Sequence, residues 1–213
     1  MKKMILATLA AGAAFAAATP AAADTGAESV DRIYSAGRCI ATEDRYAAVS
    51  LLQSLPIDGD AADLSTLSER ARHCARELSA PDILHLRGAL AQALFFRDFG
   101  GFGLEPRRSA ALVNLSLPTQ DTPGTSRSVQ LYQWSDCVVR NDAAHTEALL
   151  QSRVGSRGEA AAIERLRDYM AACAPAGAQL AVQPAELRSL LAQSAYQSMY
   201  RYWTDQLSAV QDQ

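Results

Sequence analysis

Apolar residues along this chain recur at steps of three and four. Leu64, Leu67, Ala71, Cys74 and Leu78 make one such series, and Ile163, Leu166, Met170 and Cys173 make another. That spacing gathers each set on one face of an α-helix, so the cysteines fall on the stripes that turn towards a core. Ile83, Leu86, Leu90 and Leu94 mark a third helix. Leu187, Leu190, Leu191, Ala195, Met199, Tyr202 and Leu207 mark a long final one. Helix starts are signalled by Asp82 after Pro81, by Asp142, and by Gln183-Pro184 with Glu186 in the first turn. The alternation expected of a strand is confined to the short run Leu112-Val-Asn-Leu-Ser-Leu117. The pattern predicts an all-α fold with helices over 28–41, 43–54, 60–78, 82–98, 126–139, 142–153, 157–173 and 184–208.

The predicted helices come in two similar sets. Cys39-Ile-Ala-Thr-Glu-Asp44 and Leu51-Leu-Gln-Ser54 return 98 positions later as Cys137-Val-Val-Arg-Asn-Asp142 and Leu149-Leu-Gln-Ser152. Tyr34 answers to Tyr132, and Leu86-Arg-Gly-Ala-Leu-Ala-Gln92 to Leu187-Arg-Ser-Leu-Leu-Ala-Gln193. The offset grows to 99 at the second cysteines and 101 at the last helices, so insertions fall between elements, where loops absorb them. We therefore expect two tandem, related four-helix units, residues 24–99 and 126–213, each burying its apolar face against the other. The connector, 100–125, opens on Gly100-Gly-Phe-Gly103 and contains Pro106, Pro118, Pro123 and Gly124, a composition that favours a loop.

Residues 1–23 follow a different rule. Met1-Lys2-Lys3 precedes a run rich in Ile, Leu, Ala and Phe, which ends in Thr-Pro-Ala-Ala-Ala before Asp24. This is the layout of a cleavable export signal, with cleavage expected after Ala23 and a periplasmic or secreted mature chain. No cysteine follows at once to carry a lipid, and no later segment is apolar over enough residues to span a bilayer. Both lysines of the chain lie in the leader. Without them, Schiff-base, phosphate-loop and lysine-base chemistries are excluded. Removing them takes the formal charge from −3 to −5, which argues against nucleic acid as a partner.

In an oxidising compartment four cysteines favour disulfides. Of the three possible pairings, we expect one pair per repeat, Cys39 with Cys74 and Cys137 with Cys173, which closes loops of 35 and 36 steps and treats the repeats alike. Each closure would restrict the unfolded chain by about 4 kcal/mol in the chain-entropy model. The combination of a Cys-Val-Val helix, a small-residue helix and a terminal Leu-Arg-x-Leu-Leu-Ala helix resembles an uncharacterised family of exported bacterial all-helical proteins with two cysteine pairs. It is clearest over Cys137 to Tyr196. The resemblance implies export and a helical architecture, and no activity.

Candidate chemistry is sparse. His73 adjoins Cys74, but a disulfide would consume the thiol; His85 and His145 are expected on polar helix faces, and no ligand spacing for a metal is present. Asp98-Phe-Gly100 lacks the phosphate loop and the lysine that would give it kinase meaning. Aromatic side chains gather at matching helix ends: Phe95, Phe96, Phe99 and Phe102 in the first repeat, and Tyr196, Tyr200, Tyr202 and Trp203 in the second. They are candidates for a ligand or partner surface, set against the simpler role of joining the repeats. Arg87 and Arg188 occupy equivalent places and could contact an anion, a carboxylate or the carbonyls at a helix end. The functional expectation is an exported, non-catalytic binding or scaffold protein of the bacterial envelope, without cofactor or metal, that meets a protein or a small ligand. The competing expectation is a hydrolase of envelope polymers using carboxylates such as Glu69 or Glu164.

Overall fold

The computed structural model describes residues 24–55, 64–65, 67–78, 82–101, 103–104, 127–174 and 181–211. The expected leader, Phe102 and most of the connector, including Leu112–Leu117, lie outside them. The described residues form eight α-helices and no strand. These are α1 (Asp24–Glu43), α2 (Arg45–Ser54), α3 (Glu69–Arg72), α4 (Ile83–Phe99), α5 (Arg127–Asn141), α6 (Ala143–Gln151), α7 (Arg157–Cys173) and α8 (Pro184–Gln211). Among the described residues no helix is long and apolar enough to cross a membrane.

Side-chain caps set where these helices begin. Carboxylate oxygens of Asp44, Asp82 and Asp142 accept from the backbone N–H groups of Ala47, His85 and His145 at 2.9, 2.9 and 3.1 Å. Each satisfies an N–H that the helix itself leaves without a partner. The Ala47 N–H, helped by the Ser68 hydroxyl, holds the Asp44 carboxyl below the usual carboxylate range. At α7, Ser156 caps Glu159 N–H at 3.2 Å while Glu159 reaches back to the Gly155 N–H at 2.6 Å. The reciprocal pair resembles a capping box displaced by one residue, since the N–H that Glu159 accepts from belongs to Gly155, before the cap; Gly155 stands at φ 71°, a conformation open to glycine.

One expectation is corrected here. The helix expected over 60–78 is reduced, in its described part, to α3 and a 3-10 turn, His73–Ala75. Leu64, Leu67 and Ser68 stand outside any helix. Local bonds compete with helix at this point: Ser68 caps Ala71 N–H and donates its hydroxyl to Asp44 at 2.8 Å. A serine that serves as a cap and also crosses to another helix start cannot lie in a helix interior.

The cysteines pair as the repeat requires. Cys39–Cys74 ties α1 to the 3-10 turn, and Cys137–Cys173 ties α5 to the end of α7. The most extensive helix contact joins α4 to α8, with α1 packed on α4 and α5 on α8. At the crossing of α4 and α8, Gly88 faces Ser189 so closely that a Cβ on Gly88 would stand 2.4 Å from Ser189 Cα. Gly37 lets α1 approach Ala89 in the same way. Around this axis Leu86, Leu90, Leu94, Phe95, Leu190, Leu191 and Met199 are wholly buried.

Asp136 on α5 is buried, with Arg140 bonding it at 2.8 Å. Desolvation pushes its carboxyl above the ordinary value, outweighing the pull of Arg140 and Arg201. An acid whose folded pKa is raised opposes folding once it ionises, and this opposition is absent at pH values below its unfolded pKa. Asp136→Asn should therefore raise the midpoint of thermal unfolding at pH 7 and leave it unchanged near pH 3. A variant that melts lower than the parent at pH 7 would show that the ion pair outweighs the burial.

Candidate ligand cleft

A cleft of about 690 Å³ opens where α1, α4, α6 and α8 meet. It lies within the range typical of small-molecule sites, about 300–1,000 Å³. On α1, Asp31, Tyr34 and Arg38 stand at steps of three and four and share one face. On α4, Ala89, Gln92, Ala93 and Phe96 do the same. Leu150 from α6 and the turn Ser152-Arg153-Val154 close the third side, and Arg188 of α8 closes the base. Tyr34 is buried and donates or accepts across to Ser189 Oγ at 2.9 Å. Burial pushes its phenol well above the ordinary value.

Arg188 has no exposed surface, and every nitrogen of its guanidinium is engaged. Nε donates to Glu159 at 2.7 Å, Nη1 to Gln92 Oε1 at 3.1 Å, and Nη2 to the carbonyl and hydroxyl of Ser152 at 3.0 and 2.6 Å. Nη1 also lies 3.4 Å from the Leu150 carbonyl. The fork thus gathers the carbonyl end of α6, the start of α7 and a side chain of α4. Its positive centre stands 5.7 Å from the Tyr34 ring.

Arg87 performs the matching task at the end of α2. Its guanidinium donates to the carbonyls of Leu52 and Leu55 and, at 2.8 Å, to Gln193 Oε1, which also accepts from Tyr132 at 2.5 Å. Arg87 on α4 therefore bonds Gln193 on α8, while Arg188 on α8 bonds Gln92 on α4. Both arginines expected as anion contacts are spent on helix-end carbonyls and exchanged glutamines. The cations that face solvent at the cleft are instead Arg38 and Arg153. Both are exposed. Arg38 has a 3.4 Å contact to Ser35, and the Arg153 side chain makes no hydrogen bond or ion pair among the described residues.

The expected aromatic surface divides. Phe95, Phe99 and Tyr196 are buried, and Phe99 meets Tyr196 with ring centres 5.9 Å apart. Burial raises the Tyr196 phenol to about 12, with Asp98 adding to the effect. Tyr200 meets Tyr196 at a tilt, ring centres 6.2 Å apart, and is exposed, while Tyr202 and Trp203 meet edge to face further along α8. Among the described residues of this set only Phe96 lines the cleft, half-buried and edge-on to Phe95; Phe102 lies outside them.

Neither carboxylate considered for catalysis reaches the cleft. Glu69 is exposed at the start of α3, and Glu164 is exposed and paired with Arg167 on α7. Asp31 is the one acidic residue in the lining. His85 and His145 pair with the capping Asp82 and Asp142 at 2.7 and 2.6 Å, which places both at helix starts. The remaining histidine, His73, sits beside the Cys39–Cys74 disulfide and away from the cleft lining. Of the lining, sequence reasoning proposed only Phe96 and Arg188 as site residues; Asp31, Tyr34, Arg38, Gln92 and Arg153 are among those it missed. Asp31 and Arg38 carried a usable signal, because with Tyr34 they form a polar stripe at helical spacing. No family model matches the chain, and no curated protein or solved structure is found to be similar to it.

Proposed function

We propose that this chain is an exported, non-catalytic binding protein whose cleft receives a small amphipathic anion. The observation that carries this reading is the composition of the cleft. Ala89, Ala93, Phe96, Leu150 and Val154 offer apolar contact, while Arg38 and Arg153 stand exposed at the same opening. A carboxylate on an apolar body suits both surfaces, and guanidinium forks suit carboxylates. Among the described residues Asp31 is the single acid of the lining and has no second carboxylate there to work with, which favours binding over hydrolysis. Two disulfides accord with an oxidising compartment, and the reading includes export by residues 1–23 and membership of the helical envelope family that the chain resembles.

The architecture belongs to the same proposal. We read α1–α4 and α5–α8 as two copies of one ancestral unit related by an approximate two-fold axis through Gly88 and Ser189. The exchanged Arg–Gln bonds and the equivalent disulfides support it. The two copies differ most at their third helix, since α7 is a full helix and α3, among the described residues, a single turn.

Calorimetric titration with an alkyl carboxylate, and with the alcohol of equal length, tests the reading. The carboxylate should bind the parent protein, and Arg38→Gln with Arg153→Gln should weaken it about tenfold or more, leaving the alcohol unaffected. Phe96→Ala should weaken both. Failure of the parent to bind the carboxylate, or binding indifferent to all three substitutions, would sink the proposal.

A further inference from the structure

The two disulfides differ in what stands beside them. At Cys39–Cys74 the neighbour is an imidazole: His73 Nε2 lies 3.8 Å from Cys39 Sγ and 3.6 Å from Cys74 Sγ. Each of the three residues offers one ligand atom, and these atoms lie within 4.8 Å of one another. His73 is exposed and both cysteines are half-buried, so the corner is open to solvent. At Cys137–Cys173 the neighbour is a carboxamide, with Asn141 Nδ2 at 3.4 and 3.7 Å from the two sulfurs. An amide N–H donates a hydrogen bond and supplies no metal ligand.

We propose that the dithiol form of Cys39 and Cys74 joins His73 in a three-ligand site for a thiophilic cation, with Zn²⁺ as the physiological candidate. Metal–sulfur bonds of about 2.3 Å and metal–nitrogen bonds of about 2.0 Å in a tetrahedron separate sulfur from nitrogen by about 3.5 Å. The two sulfur–nitrogen distances already lie close to that value. The disulfide lacks thiolate character, which reduction supplies, and reduction also frees the two sulfurs to part to the about 3.8 Å that a tetrahedral metal sets between them. A dithiol reductant attacks one sulfur as thiolate, forms a mixed disulfide and is then displaced by its own second thiol. The reductant leaves as a disulfide, two electrons pass to the protein, and Cys39 and Cys74 end as thiols. The cation then displaces their two protons and takes the neutral His73 nitrogen. Three protein ligands leave the fourth position to water or another small ligand. Cys137 and Cys173, without an imidazole, form no such set.

The test uses Co²⁺ as the spectroscopic probe and a phosphine reductant. Reduced full-length protein should bind one Co²⁺ with the visible bands of tetrahedral coordination and a thiolate charge-transfer band, all removed by Zn²⁺. The oxidised protein should show none of them. His73→Ala should weaken Co²⁺ at least about tenfold, whereas Asn141→Ala should leave it unchanged. His73→Gln serves as a second variant, with helix content by circular dichroism checked for each. Absent bands in the reduced protein, an affinity in either His73 variant equal to the parent's, bands retained in Cys39→Ser with Cys74→Ser, or loss of helix on reduction would each overturn the proposal.

Discussion

Arg188→Met is expected to cost about 3–5 kcal/mol of folding stability, because it removes one partner of a buried ion pair and leaves the other charged. Glu159 is buried and holds Arg188 Nε at 2.7 Å. The same substitution strands the Ser152 carbonyl at the end of α6 and the carbonyl oxygen of Gln92 on α4. Two comparisons separate charge from hydrogen bonding. Adding Glu159→Gln to Arg188→Met should recover part of the loss, since the amide can still accept from Gly155 N–H without an unpaired charge. Arg87→Met should cost less, about 1–3 kcal/mol, because that guanidinium serves carbonyls and an amide and leaves no buried carboxylate behind. Urea unfolding followed by circular dichroism measures all three. Equal losses for Arg87→Met and Arg188→Met would show that the Glu159 charge contributes nothing beyond its hydrogen bonds.

Gly88→Ala should destabilise the protein even though helix propensity favours it. In an exposed helix the exchange is worth up to about 1 kcal/mol in favour of alanine. Here the new Cβ would stand 2.4, 2.5 and 2.6 Å from Ser189 Cα, Cβ and Oγ. Backbone cannot step aside as a flexible side-chain end can, so α4 and α8 must separate along their main contact. A net loss of about 1–3 kcal/mol follows from overpacking of this kind. Ser189→Gly in the same chain should restore only part, because the contact with Cα remains and the bond from Ser189 to Tyr34 is lost. A Gly88→Ala variant as stable as its parent would show that the two helices part freely, and the proposed axis would lose its steric basis.

Much of the helical layout was legible because its causes are local. Asp82 and Asp142 satisfy N–H groups three residues on, and spacing alone reveals such contacts. The cysteine partners were legible because the chain repeats its own spacing. The missing helix before Glu69 was not legible. Leu64, Leu67 and Ala71 keep the helical period, yet the Ser68–Asp44 bond links positions 24 apart and holds Ser68 as the cap from which α3 starts. For Arg87 and Arg188 the residue type allowed an anion, a carboxylate or carbonyls, and only packing chose among them. The aromatic set likewise looked uniform in sequence, although burial puts Phe99 and Tyr196 in the core and Phe96 at the cleft.

The sequence by itself determined that the chain is helical, where most helices start, and which cysteines join. Each of these follows from periodicity, capping or repeated spacing over short distances. Only the tertiary structure decided that α4 crosses α8 at Gly88 and Ser189, that Arg87 and Arg188 bond the glutamines on each other's helices, and that four helices leave a cleft between them. It also set His73 against the Cys39–Cys74 sulfurs and Asn141 against the other pair. An apolar stripe fixes that a helix face must be covered and carries no label for the face that covers it. That choice is made by the shape and charge of residues far apart in the chain, which meet once the core has closed.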